Sequence, residues 1–156
     1  MIKKVITYED FEGNERKKEF YFHMNQVEFS KLNGEVPGGL EKRIQEIIDD
    51  KDEDAMLRLI DLVVSRSYGE KDDEDGGFTK IGKNGRPLYE KFINTGAYDK
   101  LIIELIQSES NITKFLTGIM PNEVQARIQK AFEERKAKEN AEAEGPNLSV
   151  VPAPQE

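Results

Sequence analysis

Residues 56–64 constrain the fold more than any other stretch. Seven of these nine positions are apolar: Met56, Leu57, Leu59, Ile60, Leu62, Val63 and Val64. On a helix they cover most of the circumference, and a helix apolar nearly all round needs packing partners on every side. It is therefore predicted at the centre of the molecule. A second helix of the same kind is predicted over 97–107, carrying Leu101, Ile102, Ile103, Leu105 and Ile106. A chain of 156 residues is long enough to close one core around both. That core is expected to centre on Ile60, Val63, Leu101, Ile102, Leu105, Phe115 and Leu116.

The chain begins with a different period. Ile2, Ile6 and Tyr8 alternate with polar residues, as do Phe20 and Phe22, and Glu12-Gly13-Asn14 between them supplies turn chemistry. This predicts an N-terminal β-hairpin. A lone hairpin is marginal in water, so its aromatic face must pack on helices. A short helix is predicted over 26–32, capped by Asn25 and ended by Asn33-Gly34. Another carries Leu40, Ile44, Ile47 and Ile48 on one face. Residues 68–77 read as a loop and 82–87 as a turn. Ser110 or Asn111 should cap an amphipathic helix with Ile112, Phe115, Leu116, Ile119 and Met120 on one stripe.

After Pro121, Asn122 and Gln125 have capping-box spacing. A helix is predicted to run to about Ala143, roughly 34 Å at 1.5 Å per residue. Its apolar stripe is Val124, Ile128, Ala131 and Phe132, and its second half is polar, with Glu123–Arg127 and Glu134–Lys138 spaced to pair. Gly, Pro, Asn and Ser then dominate, so the tail is expected to be disordered. The expected architecture is mainly α: an N-terminal β-hairpin on a compact bundle of about five to six helices over 1–120, a long C-terminal helix over 121–143, and a disordered tail over 144–156.

Charge narrows the function. The formal net charge is −8, and two clusters account for all of it: DDKDED at 49–54 and EKDDED at 70–75, each at −4. The remaining surface is balanced, which argues against nucleic acid, since phosphate contacts need clustered Lys and Arg. No apolar run is long enough for a signal peptide or a membrane span. Without cysteine, disulfides, thiolate metal sites and cysteine nucleophiles are excluded.

Candidate catalytic and metal chemistry fails on spacing. An EF-hand loop needs acids at positions 1, 3 and 5, glycine at 6 and glutamate at 12. With Gly76 at position 6, Lys71 falls at 1 and Gly82 at 12. With Gly77 there, Gly76 falls at 5 and Lys83 at 12. His23 is the sole histidine and sits among strand aromatics, so a structural role is expected. Gly82-Lys83-Asn84-Gly85 lacks the P-loop pattern. Neither a catalytic residue, a metal site nor a cofactor site is assigned. The candidate partner-binding residues are Val124, Ile128 and Phe132, a stripe that could equally dock the last helix onto the core.

Several segments stand in a definite order: VITYEDFEGNERKKEFYF, Gly38-Gly39-Leu40 opening a helix, DLVVSRSYGEKDDEDGGFTK, FINTGAYDKLIIELI and NITKFLTGIMP. This order resembles the tail assembly chaperones of long-tailed, siphovirus-type bacteriophages of Gram-positive hosts. The resemblance covers most of residues 1–121, and SYGEK with its acidic glycine loop is its most specific part. It departs at His23-Met24-Asn25 and over 80–88. The resemblance implies a protein that is not an enzyme and that holds the tape measure protein soluble during tail assembly. It implies a further partner, the tail tube protein, recruited by a longer product of ribosomal frameshifting. It also implies action in the cytoplasm of the bacterial host and absence from the mature virion. Two readings compete from the residues alone: an acidic inhibitor or regulator that occupies a basic site on a protein partner, and a carboxylate-based enzyme.

Overall fold

The computed structural model describes residues 1–145, apart from the side chains of Ala131 and Phe132. The expected disordered tail thus lies outside the described residues from position 146 onward.

Two long strands open the chain, β1 (Ile2–Glu9) and β2 (Glu15–Phe22), paired antiparallel from Ile2↔Phe22 to Glu9↔Glu15. Asp10 builds their turn. Its Oδ1 accepts the N–H groups of Glu12 and Asn14, and its Oδ2 accepts Arg16 Nε. The Arg16 bond, followed by the Asn14 N–H, holds the Asp10 carboxyl below its usual pKa.

The hairpin does not stand alone, and this corrects the expectation. Residues 68–77, read as a loop, contain β3 (Tyr68–Lys71) and lead into β4 (Phe78–Thr79). Together the four strands form one antiparallel sheet in the order β1-β2-β3-β4. Tyr21 faces Gly69 and Phe22 faces Tyr68, and Lys71 faces Phe78. Only Tyr68 and Gly69 of β3 are buried, so its sequence carries no alternation to read.

Seven helices occur among the described residues, six before Pro121 and the long C-terminal one after it: α1 (Gln26–Glu35), α2 (Leu40–Asp50), α3 (Glu53–Ser67), α4 (Tyr89–Phe92), α5 (Gly96–Ile106), α6 (Glu109–Ile119) and α7 (Asn122–Ala143). Asn25 and Glu28 form a reciprocal capping box on α1. The helix then passes through Asn33-Gly34, because Asn33 Oδ1 is engaged elsewhere, accepting the Leu40 N–H at the start of α2. Asp52 caps α3 through the Ala55 N–H. Ser108, not Ser110 or Asn111, caps α6. The Asn122–Gln125 capping box does not form. Pro121 opens α7, and the Gln125 amide donates back to the Met120 carbonyl.

The helices cover one face of the sheet, to which Ile6, Phe20 and Phe22 are turned and on which they are buried. Phe92 is the hub of an aromatic cluster beneath it. Tyr68 stacks on Phe92 at 4.3 Å, and Phe20, Tyr98 and Phe22 surround it at 5.1, 5.8 and 5.9 Å. Ile60, Val63, Leu101, Leu105, Phe115 and Leu116 are buried as expected, whereas Ile102 is only partly so. Gly96 lets α5 approach β1, since a Cβ there would lie 2.9 Å from the Glu9 carbonyl oxygen.

Candidate functional site

SYGEK, the most specific motif of the resemblance, serves the sheet. Ser67 is buried and its carbonyl accepts the His23 N–H. Tyr68 is the stacked ring beside Phe92, and burial, with Glu70 nearby, pushes its phenol up to about 12. At Gly69 a Cβ would lie 2.5 Å from the Thr79 carbonyl and 2.6 Å from the Phe78 ring, so only glycine lets β4 pair here. Lys71 lies 5.5 Å from the Tyr21 ring centroid. In the acidic loop beyond, Asp72 Oδ1 accepts the Glu74 N–H and Asp75 Oδ1 the Gly77 N–H, so two of its carboxylates shape the turn.

His23 packs edge-on to Phe78 at 5.9 Å. Its Nδ1 is buried without a hydrogen-bond partner among the described residues. Burial first, then nearby positive charge, lowers its pKa. Next to it Lys80 Nζ sits 2.7 Å from Glu28. Burial raises the Glu28 pKa, but the Lys80 and Asn25 hydrogen bonds outweigh it and the net shift is downward. This is a histidine packed against an aromatic ring, with its neutral form favoured by burial.

A second polar group joins three helices. Asp61 of α3 accepts the hydroxyls of Tyr89 and Tyr98, each at 2.5 Å. Burial, then the bond to Asp61, raises both phenols, Tyr98 to about 12. One carboxylate satisfied by two protonated phenols is a clamp and not an acid–base pair. Among the described residues no group of three His, Asp or Glu side chains is placed to hold a metal ion.

Two residues of the predicted stripe on α7, Val124 and Ile128, point inward. Val124 and Ile128 are 3% and 4% exposed and fasten the base of α7 to the core. The Phe132 side chain lies outside the described residues. In their buried positions Val124 and Ile128 reach a partner only if α7 lifts. Farther along α7, Arg135 pairs with Asp49 of α2 and with Glu139. On α7 the ion pairs within the helix, among the described residues, are Lys130–Glu134 and Arg135–Glu139, not Glu123–Arg127 and Glu134–Lys138, and the Glu123 carboxylate instead accepts the Gln26 amide.

Open apolar surface lies elsewhere, where four helix ends meet. The C-termini of α2 and α5 and the N-termini of α3 and α6 enclose a cleft of about 400 Å³. Ile48, Met56, Leu57, Ile106 and Ile112 line its apolar part, with Leu57 39% and Ile106 46% exposed. Lys51, Asp52, Glu53 and Glu109 line the remainder. The cleft shares Ile48, Lys51 and Glu109 with a larger, more polar one of about 700 Å³ that reaches Arg135 and Glu139 on α7, so the two join as one trough. Sequence reasoning missed this site because it expected Leu57 and Ile106 to be covered like the rest of their helices.

The two acidic clusters lie at opposite ends of α3. One spans the α2–α3 connection and the other begins within β3, so α3 separates them by about 22 Å along its axis at 1.5 Å per residue.

None of the described helices is long and apolar enough to cross a membrane. No curated protein and no solved structure matches the chain. A family model described as phage tail assembly chaperone matches residues 1–154, nearly the whole length. A match of that extent, on a fold whose SYGEK segment is built into the sheet, means that this chain belongs to the phage tail assembly chaperone family.

Proposed function

We propose that this protein binds the tape measure protein and keeps it soluble while tail tube subunits assemble around it. The family match over residues 1–154 carries this reading. An open apolar cleft on a molecule of net charge −8 supports it, because a holding chaperone must offer apolar contact yet repel its own kind. In this reading the protein is not an enzyme. It acts in the cytoplasm of the bacterial host and is absent from the mature virion, and the phage is a siphovirus-type phage of a Gram-positive host. A frameshifted longer product would add contact with the tail tube protein.

Co-expression with the tape measure protein tests it. The expected result is a shift of the tape measure chain into the soluble fraction and its co-purification with this protein. An unchanged insoluble fraction with no co-purification overturns the reading. The Val124, Ile128 and Phe132 stripe is tested in the same assay. Loss of solubilisation by Val124→Glu with folding intact assigns the stripe to the partner. Loss of folding assigns it to the core, the outcome favoured by the burial of Val124 and Ile128.

A further inference from the structure

We propose that the cleft between Ile48, Leu57 and Ile106 docks an amphipathic helix whose apolar stripe is flanked by lysine and arginine. The proposal rests on the function above only for the source of that helix, a segment of the tape measure protein.

The floor argues for an apolar stripe. Leu57 and Ile106 come from different helices, are each more than one-third exposed, and line one cleft with Ile48, Met56 and Ile112. Ile103, 45% exposed and three residues before Ile106 on α5, extends the apolar surface beyond the cleft. A groove between helices with apolar residues on both walls suits a helix that presents anchors at i, i+3, i+4 and i+7.

The rim decides the charge of the visitor. Around the apolar cleft itself Asp52, Glu53 and Glu109 stand against one lysine, Lys51, while Lys114, Arg135 and Lys136 lie in the adjoining polar part toward α7. The 49–54 cluster, at −4, forms the connection beside them. Glu53, Asp54 and Glu109 make no ion pair among the described residues. Two helix N-termini and two C-termini meet at the cleft, so their dipoles offset and the formal charges set the sign. A helix with acids beside its stripe would meet like charge, and one with Lys and Arg would meet opposite charge.

The test uses the full chain and a labelled synthetic helix with leucines at i, i+3, i+4 and i+7 flanked by lysines, compared with its counterpart carrying glutamates. The lysine helix should bind about tenfold tighter or more, with an affinity that falls as salt rises. Leu57→Glu with Ile106→Glu should weaken it by about tenfold or more while circular dichroism and melting temperature hold. If that pair unfolds the protein, Leu57→Ser with Ile106→Ser is read in its place. Glu53→Gln with Glu109→Gln should remove most of the salt dependence. Equal binding of the glutamate helix overturns the proposal, as does undiminished binding by a folded cleft variant. Self-association lost in the cleft variants also overturns it, since the occupant is then a second copy. In co-expression, a cleft variant that still solubilises the tape measure protein overturns the proposed source and leaves the functional reading standing. A wild type that binds the lysine helix but never solubilises the tape measure protein refutes the function and supports the cleft.

Discussion

The two ends of α3 differ in how their apolar residues are finished. At the C-terminal end, Val63 and Val64 are fully buried, and Tyr68, directly after the helix, packs among Phe20, Phe22 and Phe92. At the N-terminal end, Leu57 is open and Met56 only partly covered, beside an exposed Ile106. Both ends are equally apolar in sequence. The C-terminal end runs directly into β3 and so into the sheet, whereas the N-terminal end follows the short connection from α2. A single helix can thus anchor the fold at one end and offer apolar area at the other.

The sharpest way to break this comparison is at the aromatic hub. Phe92→Ala should destabilise the protein by about 3–5 kcal/mol, since the ring is fully enclosed and its loss leaves a cavity. Denaturant titration measures this, and a change below about 1 kcal/mol would mean that the end is not sealed. Gly69→Ala should cost about 1–3 kcal/mol, because the new Cβ collides with backbone and ring at once. Amide exchange should show β4 released first.

A smaller effect is expected from pH at His23. Its pKa is lowered in the folded protein, so between the folded value and the unfolded value of about 6.5 the unfolded chain binds more protons. The stabilisation from neutral His23 is therefore complete above about pH 6.5 and is lost as pH falls through that window. The melting temperature of wild type should drop more between neutral and mildly acidic buffer than that of His23→Gln. Parallel curves would refute the contribution. The smallest effect belongs to the open end, where Leu57→Ser and Ile106→Ser should each change stability by about 0.5 kcal/mol or less. A loss comparable to that of Phe92→Ala would show that both ends are core.

Local pattern determined much of this molecule. The 3.6-residue period placed α2, α3, α5, α6 and α7, with α7 running as expected to Ala143, but not the single turn of α4, and alternation placed β1 and β2. Spacing and charge located the acidic clusters and the Asn25 cap. Tertiary packing decided the rest. β3 and β4 are too short to show a period, and they exist because β2 offers a free edge and Gly69 permits close approach. The α7 stripe is legible as apolar, but the burial of Val124 and Ile128 depends on where Pro121 sends the helix. Leu57 and Val63 look alike in a sequence, and only the packing of the neighbouring elements covers one and leaves the other open. Periodicity reports which side chains avoid water, whereas the assembled neighbours determine which of them succeed.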